Sequence, residues 1–404
     1  MLDIKYIREN LEEVKSAIAK RGVNIDWEKL LKLDEDRRGL EGRIELLRAE
    51  QNKVSKEKGD MTHAKEIKAM LKDLEPQLVD TQENFKVEAV KVPNIPFKDV
   101  PEGKSDAANK VLKTVGEIKL KSGRDHVTIG KALDLIDIER AGKVSGSRFY
   151  YLKNEAVELE FALVKYAMDI IKQEGFKPIL TPVLIKEDIA WGSGHFEATN
   201  DDAYHMRSDD LVAIGTSEQS ILPYYADEII DVPQRFVGFS TCLRREAGSY
   251  GKDVKGILRT HQFDKLEMFS FSKSEDSEKE HELIVNLEEK IVSGLGLPYR
   301  LVQVCTGDLG LPCAKTVDLE IWLPGQEKYR ETHSSSNCTD FQARRLNIRY
   351  KSDKGNEFVH TLNGTAVAIG RMLIAILENF YQNDGTVKVP EALQKYLDFK
   401  EIKS

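Results

Sequence analysis

CLRREAGSYGKDVKGILRTHQFDKLEMF, residues 242–269, places arginine, glutamate and aromatic side chains at fixed offsets on either side of a glycine-rich stretch. Arg244 and Glu246 are two apart, so on an extended strand they share one face while Arg245 takes the other. On the returning stretch Phe263, Lys265, Glu267 and Phe269 share a face in the same way. Between the two runs, Gly248, Gly251 and Gly256 relieve the steric limits of a turn, and Lys252, Lys255 and Arg259 add positive charge. The pattern predicts a β-hairpin with guanidinium for phosphate, an aromatic plate for a base, and carboxylates for amine or hydroxyl groups. It also fits a plain charged hairpin, so other segments must decide between the two.

Working outward, TLNGTAVAIGRMLIAILEN (residues 361–379) passes from a polar stretch into an apolar helix in which Arg371 stands almost alone among apolar residues. A buried arginine needs an anion, either a ligand or an internal carboxylate. Further segments are LTPVL at 180–184, GTSEQS at 215–220, CTGDLGLPCAKTVDLEIWLPG at 305–325 and ETHSSSNCTDFQARR at 331–345.

In this order the segments resemble those of the bacterial-type seryl-tRNA synthetases, a class II aminoacyl-tRNA synthetase family, over essentially the whole chain. LTPVL is similar to the first class motif, residues 242–267 to the second, and LNGTAVAIGR to the third; the other three segments match the serine-specific family. The resemblance implies an α+β fold: an N-terminal antiparallel helical coiled-coil hairpin and an antiparallel catalytic sheet flanked by helices. It implies a ligase that joins L-serine to ATP as seryl-adenylate and passes it to the 3′ end of serine tRNA; whether selenocysteine tRNA is charged as well stays open. Two rivals are a catalytically dead paralogue and an enzyme that charges a carrier protein. The first should have lost Arg244, Glu267 or Arg371, and the second should lack a long basic hairpin.

The resemblance also assigns residues. Arg244, Glu246 and Arg371 take catalytic roles. Thr216, Ser217, Glu218, Arg244, Glu267, Asn363 and Thr365 form the serine site, with Glu267 accepting from the hydroxyl and the Thr216–Glu218 loop receiving the α-amino group. Arg244, Arg245, Glu246, Phe263, Glu331, Thr332, His333, Ser334 and Arg371 contact ATP, Phe263 and Arg371 sandwiching adenine. Glu331 and Ser334 hold Mg²⁺, whose preference for few protein oxygens suits them. No side chain stands out as general base for the transfer step. Leu243, Arg245 and Thr365 depart from the usual pattern without removing a required functional group.

Composition agrees with this. The 404 residues are long enough for two domains. No apolar run approaches a membrane span, and the charged amphipathic start MLDIKYIRENLEEVK does not read as a secretory signal. Cys242, Cys305, Cys313 and Cys338 are scattered without a paired spacing, so no zinc site or disulfide framework is expected, and a reducing cytoplasm is the default. The net charge of −8 is unusual for an RNA binder, so local charge carries the argument.

That local charge is N-terminal. Ile4, Ile7, Leu11, Val14 and Ile18 predict one amphipathic helix. Leu40, Ile44, Leu47 and Val54, then Ile67, Leu71, Leu74, Leu78 and Phe85 after a break at Lys58-Gly59-Asp60, predict two long antiparallel helices. Pro76 should kink the second. Toward the tip, Arg43, Arg48, Lys53, Lys56, Lys58, Lys65, Lys68 and Lys72 outnumber five acidic residues. In the resembling family this arm grips the long variable arm of the tRNA, the acceptor end going to the catalytic domain. The Pro-rich stretch KVPNIPFKDVPEGKSD ends the hairpin, giving an arm at 1–105 and a catalytic domain at 106–404. Beyond it, Phe149 to Glu174 reads as a helix, with Phe176 to Val183 and Phe236 to Arg245 as strands. The first motif implies a homodimer.

Overall fold

A computed structural model describes residues 1–56, 61–118, 124–194, 202–247 and 255–403. Lys58 and the 58–60 turn, Gly248, Gly251 and Lys252 lie outside the described residues. Contacts divide the chain into two compact units, Met1–Pro93 and Asn94–Ser404, so the division falls inside the Pro-rich stretch and ahead of residue 105. Residues 94–105 belong with the second unit because Asn94 donates from Nδ2 to Pro312 O and Cys338 O, at 2.9 and 2.8 Å.

The first unit is helical. In place of one N-terminal helix there are two, α1 (Ile4–Glu9) and α2 (Leu11–Ala19). Asn10 interrupts them with a backbone φ of −129° and ψ of 35°, outside the helical region, while its backbone N and side-chain amide both donate to Tyr6 O, at 3.0 and 3.1 Å. The apolar stripe survives the break, with Ile7, Val14 and Ile18 buried. The long helices α3 (Trp27–Lys56) and α4 (Met61–Ala89) are joined by a seam of Ile44, Ile67, Leu71 and Leu74, with Leu40, Leu47, Val54 and Leu78 packed beside it. α4 runs on through Pro76, forgoing one backbone hydrogen bond there.

The second unit is built on an eight-stranded sheet. Its strands are β1 (Lys110–Val115), β2 (Lys177–Leu180), β3 (Gln234–Leu243), β4 (Gln262–Ser272), β5 (Tyr299–Gln303), β6 (Lys315–Leu323), β7 (Lys328–Asn337) and β8 (His360–Ala368). Their spatial order is β1-β5-β6-β7-β8-β4-β3-β2. Every pairing is antiparallel except that of β2 with β3, which is parallel. That exception follows from the connection: the long excursion between Leu180 and Gln234 brings the chain back in the same direction, which a tight hairpin cannot do.

Three helices cover one face: α5 (Glu155–Ile171), α6 (Ser277–Gly294) and α7 (Ile369–Asn379). Leu159, Leu163, Ile284, Leu287, Ile291, Met372 and Ile376 pack there against Leu266, Met268, Leu319 and Ile321 of the sheet. The predicted helix from Phe149 starts at Glu155, because Tyr151–Leu152 form a short strand and Asn154 takes a left-handed φ of +52°.

Candidate active site

Period-two alternation sorts the strands into a core face and a ligand face. On β4, Leu266 and Met268 enter the main core, while Phe263, Lys265 and Glu267 line a cavity of about 570 Å³, within the range of small-molecule sites. Further along the same face Phe269 and Phe271 are buried in a second cluster with Phe236 and Ile221, which closes that end. β6 presents Thr316 and Asp318 to the cavity, β7 presents Thr332, Ser334 and Ser336, and β8 presents Asn363 and Thr365. Register then sets the neighbours: Thr365 lies opposite Glu267, and Asn363 opposite Ser336.

Arg244, Glu246, Phe263, Glu267 and Arg371 line this one cavity. β3 ends at Leu243, and the chain turns away through Glu246, whose φ of +52° is left-handed. Arg244 and Glu246 therefore reach the cavity from a turn rather than from a straight strand. The Arg244 guanidinium stands 5.3 Å from the Phe263 ring centre, and its Nε donates to Gly215 O at 3.0 Å, tying the second segment to the GTSEQS loop. Arg259 pairs with Glu246 at 2.9 Å. Arg371 meets its anion in Glu331, donating from Nη1 to Oε1 at 3.0 Å and to the backbone oxygen at 2.8 Å.

Thr216, Glu218, Glu331, Thr332 and Ser334 also line the cavity, as do Asn363 and Thr365. Three assigned residues do not. Ser217 is buried behind the loop with Oγ donating to Gly238 O at 3.3 Å; Arg245 is anchored through its backbone N to Asp202 O at 2.7 Å; and His333 faces the core, 3.1 Å from Ala366 O. Burial pushes the His333 imidazole down to about 4.

Lys265 is a residue the sequence reading placed on the right face without assigning it a role. It forms an ion pair with Glu267. Glu267 is 2% exposed, and burial raises its carboxyl pKa above the ordinary 4.5; Glu218 adds to the rise, while Lys265 and Arg244 oppose it. Asp318 was likewise unassigned. Its Oδ1 is buried without a hydrogen-bond partner, and burial followed by the charge of Glu331 raises its pKa well above the ordinary value. Glu331, Ser334 and Asp318 make an all-oxygen donor set that fits a hard divalent cation such as Mg²⁺. Among the described residues no cluster of three or more His, Cys, Asp or Glu could hold a metal by itself.

In the first unit, Arg43, Arg48, Lys53, Lys56, Lys65, Lys68 and Lys72 are all exposed. Arg48 crosses to Glu75 at 2.8 Å, and His63 to Glu50 at 2.8 Å, so the two long helices are clasped by charge as well as by their seam.

A nucleotide-sized cavity, floored by an antiparallel sheet and rimmed by arginines, belongs to a known class: residues 201–380 match the family model described as tRNA synthetase class II core domain (G, H, P, S and T). Residues 1–96 match the Seryl-tRNA synthetase N-terminal domain. Over its full length the chain is 42% identical to the serine–tRNA ligase of Treponema denticola, covering 100% of both chains. It is 43% identical to that of Dictyoglomus thermophilum, covering 100% of this chain and 99% of the relative. A crystal structure of seryl-tRNA synthetase from Pyrococcus horikoshii complexed with ATP superposes with a TM-score of 0.90 at 40% identity, covering 100% of this chain and 99% of that one. The chain belongs to the seryl-tRNA synthetase family.

Proposed function

We propose that this chain activates L-serine with ATP and transfers the seryl group to the 3′ end of serine tRNA. The observation that carries the reading is the single cavity shared by Arg244, Phe263, Glu267 and Arg371, lined by the carboxylates Glu218 and Glu267 and by arginines suited to phosphates. In the first step a serine carboxylate oxygen attacks the α-phosphorus and pyrophosphate leaves. The protein's work there is to position the reactants and neutralise charge. Arg244 holds the α-phosphate and the serine carboxylate. Glu246, steadied by Arg259, orders the nucleotide, and adenine lies between Phe263 and Arg371. Arg371 reaches the phosphates by exchanging its contact with Glu331. Glu331 and Ser334, with Asp318 beside them, would hold Mg²⁺, which supplies charge neutralisation on the triphosphate when bound.

At the other end Glu267 accepts from the serine hydroxyl, with Thr365 and Asn363 completing the wall and Glu218 receiving the α-ammonium. A buried acceptor rejects alanine by ~10⁴ or more, since its own polar group would be left unpaired. In the second step the terminal ribose hydroxyl of the tRNA displaces AMP. The exposed basic residues of the α3–α4 hairpin bind tRNA phosphates, reading shape more than sequence.

The chain is proposed to act as a homodimer in the cytoplasm. Phe161 is 64% exposed and Leu180 79%, on the helix and strand around the first motif, where apolar surface calls for a partner. All four cysteines are buried thiols, which suits a reducing compartment. No described helix is long and apolar enough to cross a membrane.

The test is ATP–pyrophosphate exchange with each of the twenty amino acids, followed by charging of serine and selenocysteine tRNAs. Serine alone should support exchange and serine tRNA should be charged; exchange with another amino acid but not serine would overturn the reading. An active species that sediments only as a monomer would overturn the dimer.

A further inference from the structure

Glu218 does not stand alone at the amino end of the cavity. The helix Phe341–Leu346, here α8, places Gln342 behind it, 0% exposed, in a part of the chain far from the GTSEQS loop in sequence. The Gln342 side-chain Nε2 donates to Glu218 Oε1 at 2.7 Å and to Ser193 O at 2.9 Å. Its Oε1 accepts from the Thr361 hydroxyl at 2.6 Å. All three side chains are buried.

The amide can lie only one way round. Thr361 donates to the carbonyl end, and both groups at the other end, a carboxylate and a backbone carbonyl, are acceptors. A reversed amide would set oxygen against oxygen twice. The carboxylate is thus gripped by a donor whose sense is fixed by its two acceptors and whose far end is anchored to the sheet by Thr361.

Thr361 lies on β8, two residues before Asn363 and four before Thr365, on the same face of the strand. That strand therefore reaches both ends of the amino acid: directly at the hydroxyl end through Asn363 and Thr365, and at the amino end through Thr361, Gln342 and Glu218. We infer that Gln342 is a positioning residue that aims the Glu218 carboxylate at the α-ammonium of the amino acid, and that Thr361, donating to its carbonyl, holds the amide in place. The inference rests on the proposed placing of the α-ammonium at Glu218.

The test uses the full-length enzyme and pyrophosphate exchange, with KM for serine and for ATP measured separately. Glu218→Gln comes first: an unchanged serine KM there would overturn the placing of the amino group itself. With Glu218 shown to matter, Gln342→Met should raise serine KM about tenfold or more, the value of one hydrogen bond to a charged group, and leave ATP KM within about twofold. Should Gln342→Met not fold, Gln342→Asn carries the same test, because it keeps a neutral amide in the pocket but, one methylene shorter, draws its donor away from Glu218. Thr361→Val should raise serine KM by about threefold, and Thr361→Ser should restore it. The Gln342→Met and Glu218→Gln effects should be less than additive when combined. Parallel rises in both KM values, a Thr361→Ser variant as impaired as Thr361→Val, or strict additivity would each overturn the role and leave Gln342 as packing.

Discussion

Glu267 is a nearly fully buried carboxylate whose strand partner is Thr365 and whose counter-charge is Lys265. Replacing it with alanine is expected to cut serine-dependent exchange by about 10²-fold or more while nucleotide binding, measured by titration, is retained. Because burial raises its pKa, the ionised acceptor is lost as pH falls through a value above 4.5, not at it. The acid limb of kcat/KM for serine should accordingly lie on the alkaline side of an ordinary glutamate and be absent from the corresponding profile for ATP binding. At this scale much was legible beforehand. Phe263, Lys265 and Glu267 alternate on one strand, so period two alone put them on one surface. Gln342 was not legible: its partner Glu218 is 124 residues away, and nothing in the local pattern of either segment points to the other.

Single elements hold the cavity through contacts that reach well beyond their own sequence. The end of the glycine-rich stretch is fixed at Gly256, whose φ is +76° and where an added Cβ would fall 1.9 Å from His126 Nε2. That nitrogen accepts from Ile257 N at 3.3 Å, and the other ring nitrogen lies 3.0 Å from Glu378. Gly256→Ala should therefore displace the return strand, costing about 2 kcal/mol or more in thermal or denaturant unfolding and raising KM for ATP. Behind the sheet, Glu288 of α6 is fully buried, and neither carboxyl oxygen meets a donor, the neighbouring Ser335 hydroxyl being given to Val317 O at 3.0 Å. Burial, then the charges of Glu267 and Asp318, raise its pKa well above 4.5. The folded state then binds this proton more tightly than the unfolded one. Its contribution to stability is full below about 4.5 and is lost as pH rises through the folded pKa. Glu288→Gln lacks that loss. The two proteins should match near pH 4.5, and the variant should become progressively the more stable toward neutral pH, in denaturant melts at each pH. The long helices α3 and α4 were readable from their apolar seam. The break between α1 and α2 was not, because a stripe at helical spacing continues across Asn10, where only the backbone dihedrals leave the helical region.

The whole molecule divides into two compact units, Met1–Pro93 and Asn94–Ser404, to which the proposed function gives separate tasks. Deleting Leu40 to Leu78 should leave serine-dependent pyrophosphate exchange within about twofold and lower tRNA charging by about 10²-fold or more, since the phosphate contacts would go with the hairpin. Equal losses in both assays would count against an arm dedicated to RNA. The fold class and the serine-specific segments could be read from the chain, whereas the parallel edge pairing of β2 could not: strand direction depends on the path of the long connection before β3, and periodicity carries no sign of direction. The strand order has a further consequence. β3, β4, β6, β7 and β8 all carry cavity residues, and each has a hydrogen-bonded neighbouring strand on both sides, so none of the strands of the floor is an edge strand of the sheet, although β7 and β8 pair only over Ser335–Asn337. Opening any of these strands means breaking two ladders at once. Backbone amides under the nucleotide should thus be among the last in the protein to trade hydrogen for deuterium, well after those of β1 and β2, even before any substrate is added. The surface that chooses serine would then be rigid by construction rather than by induced fit, leaving adaptation to the loops around its rim.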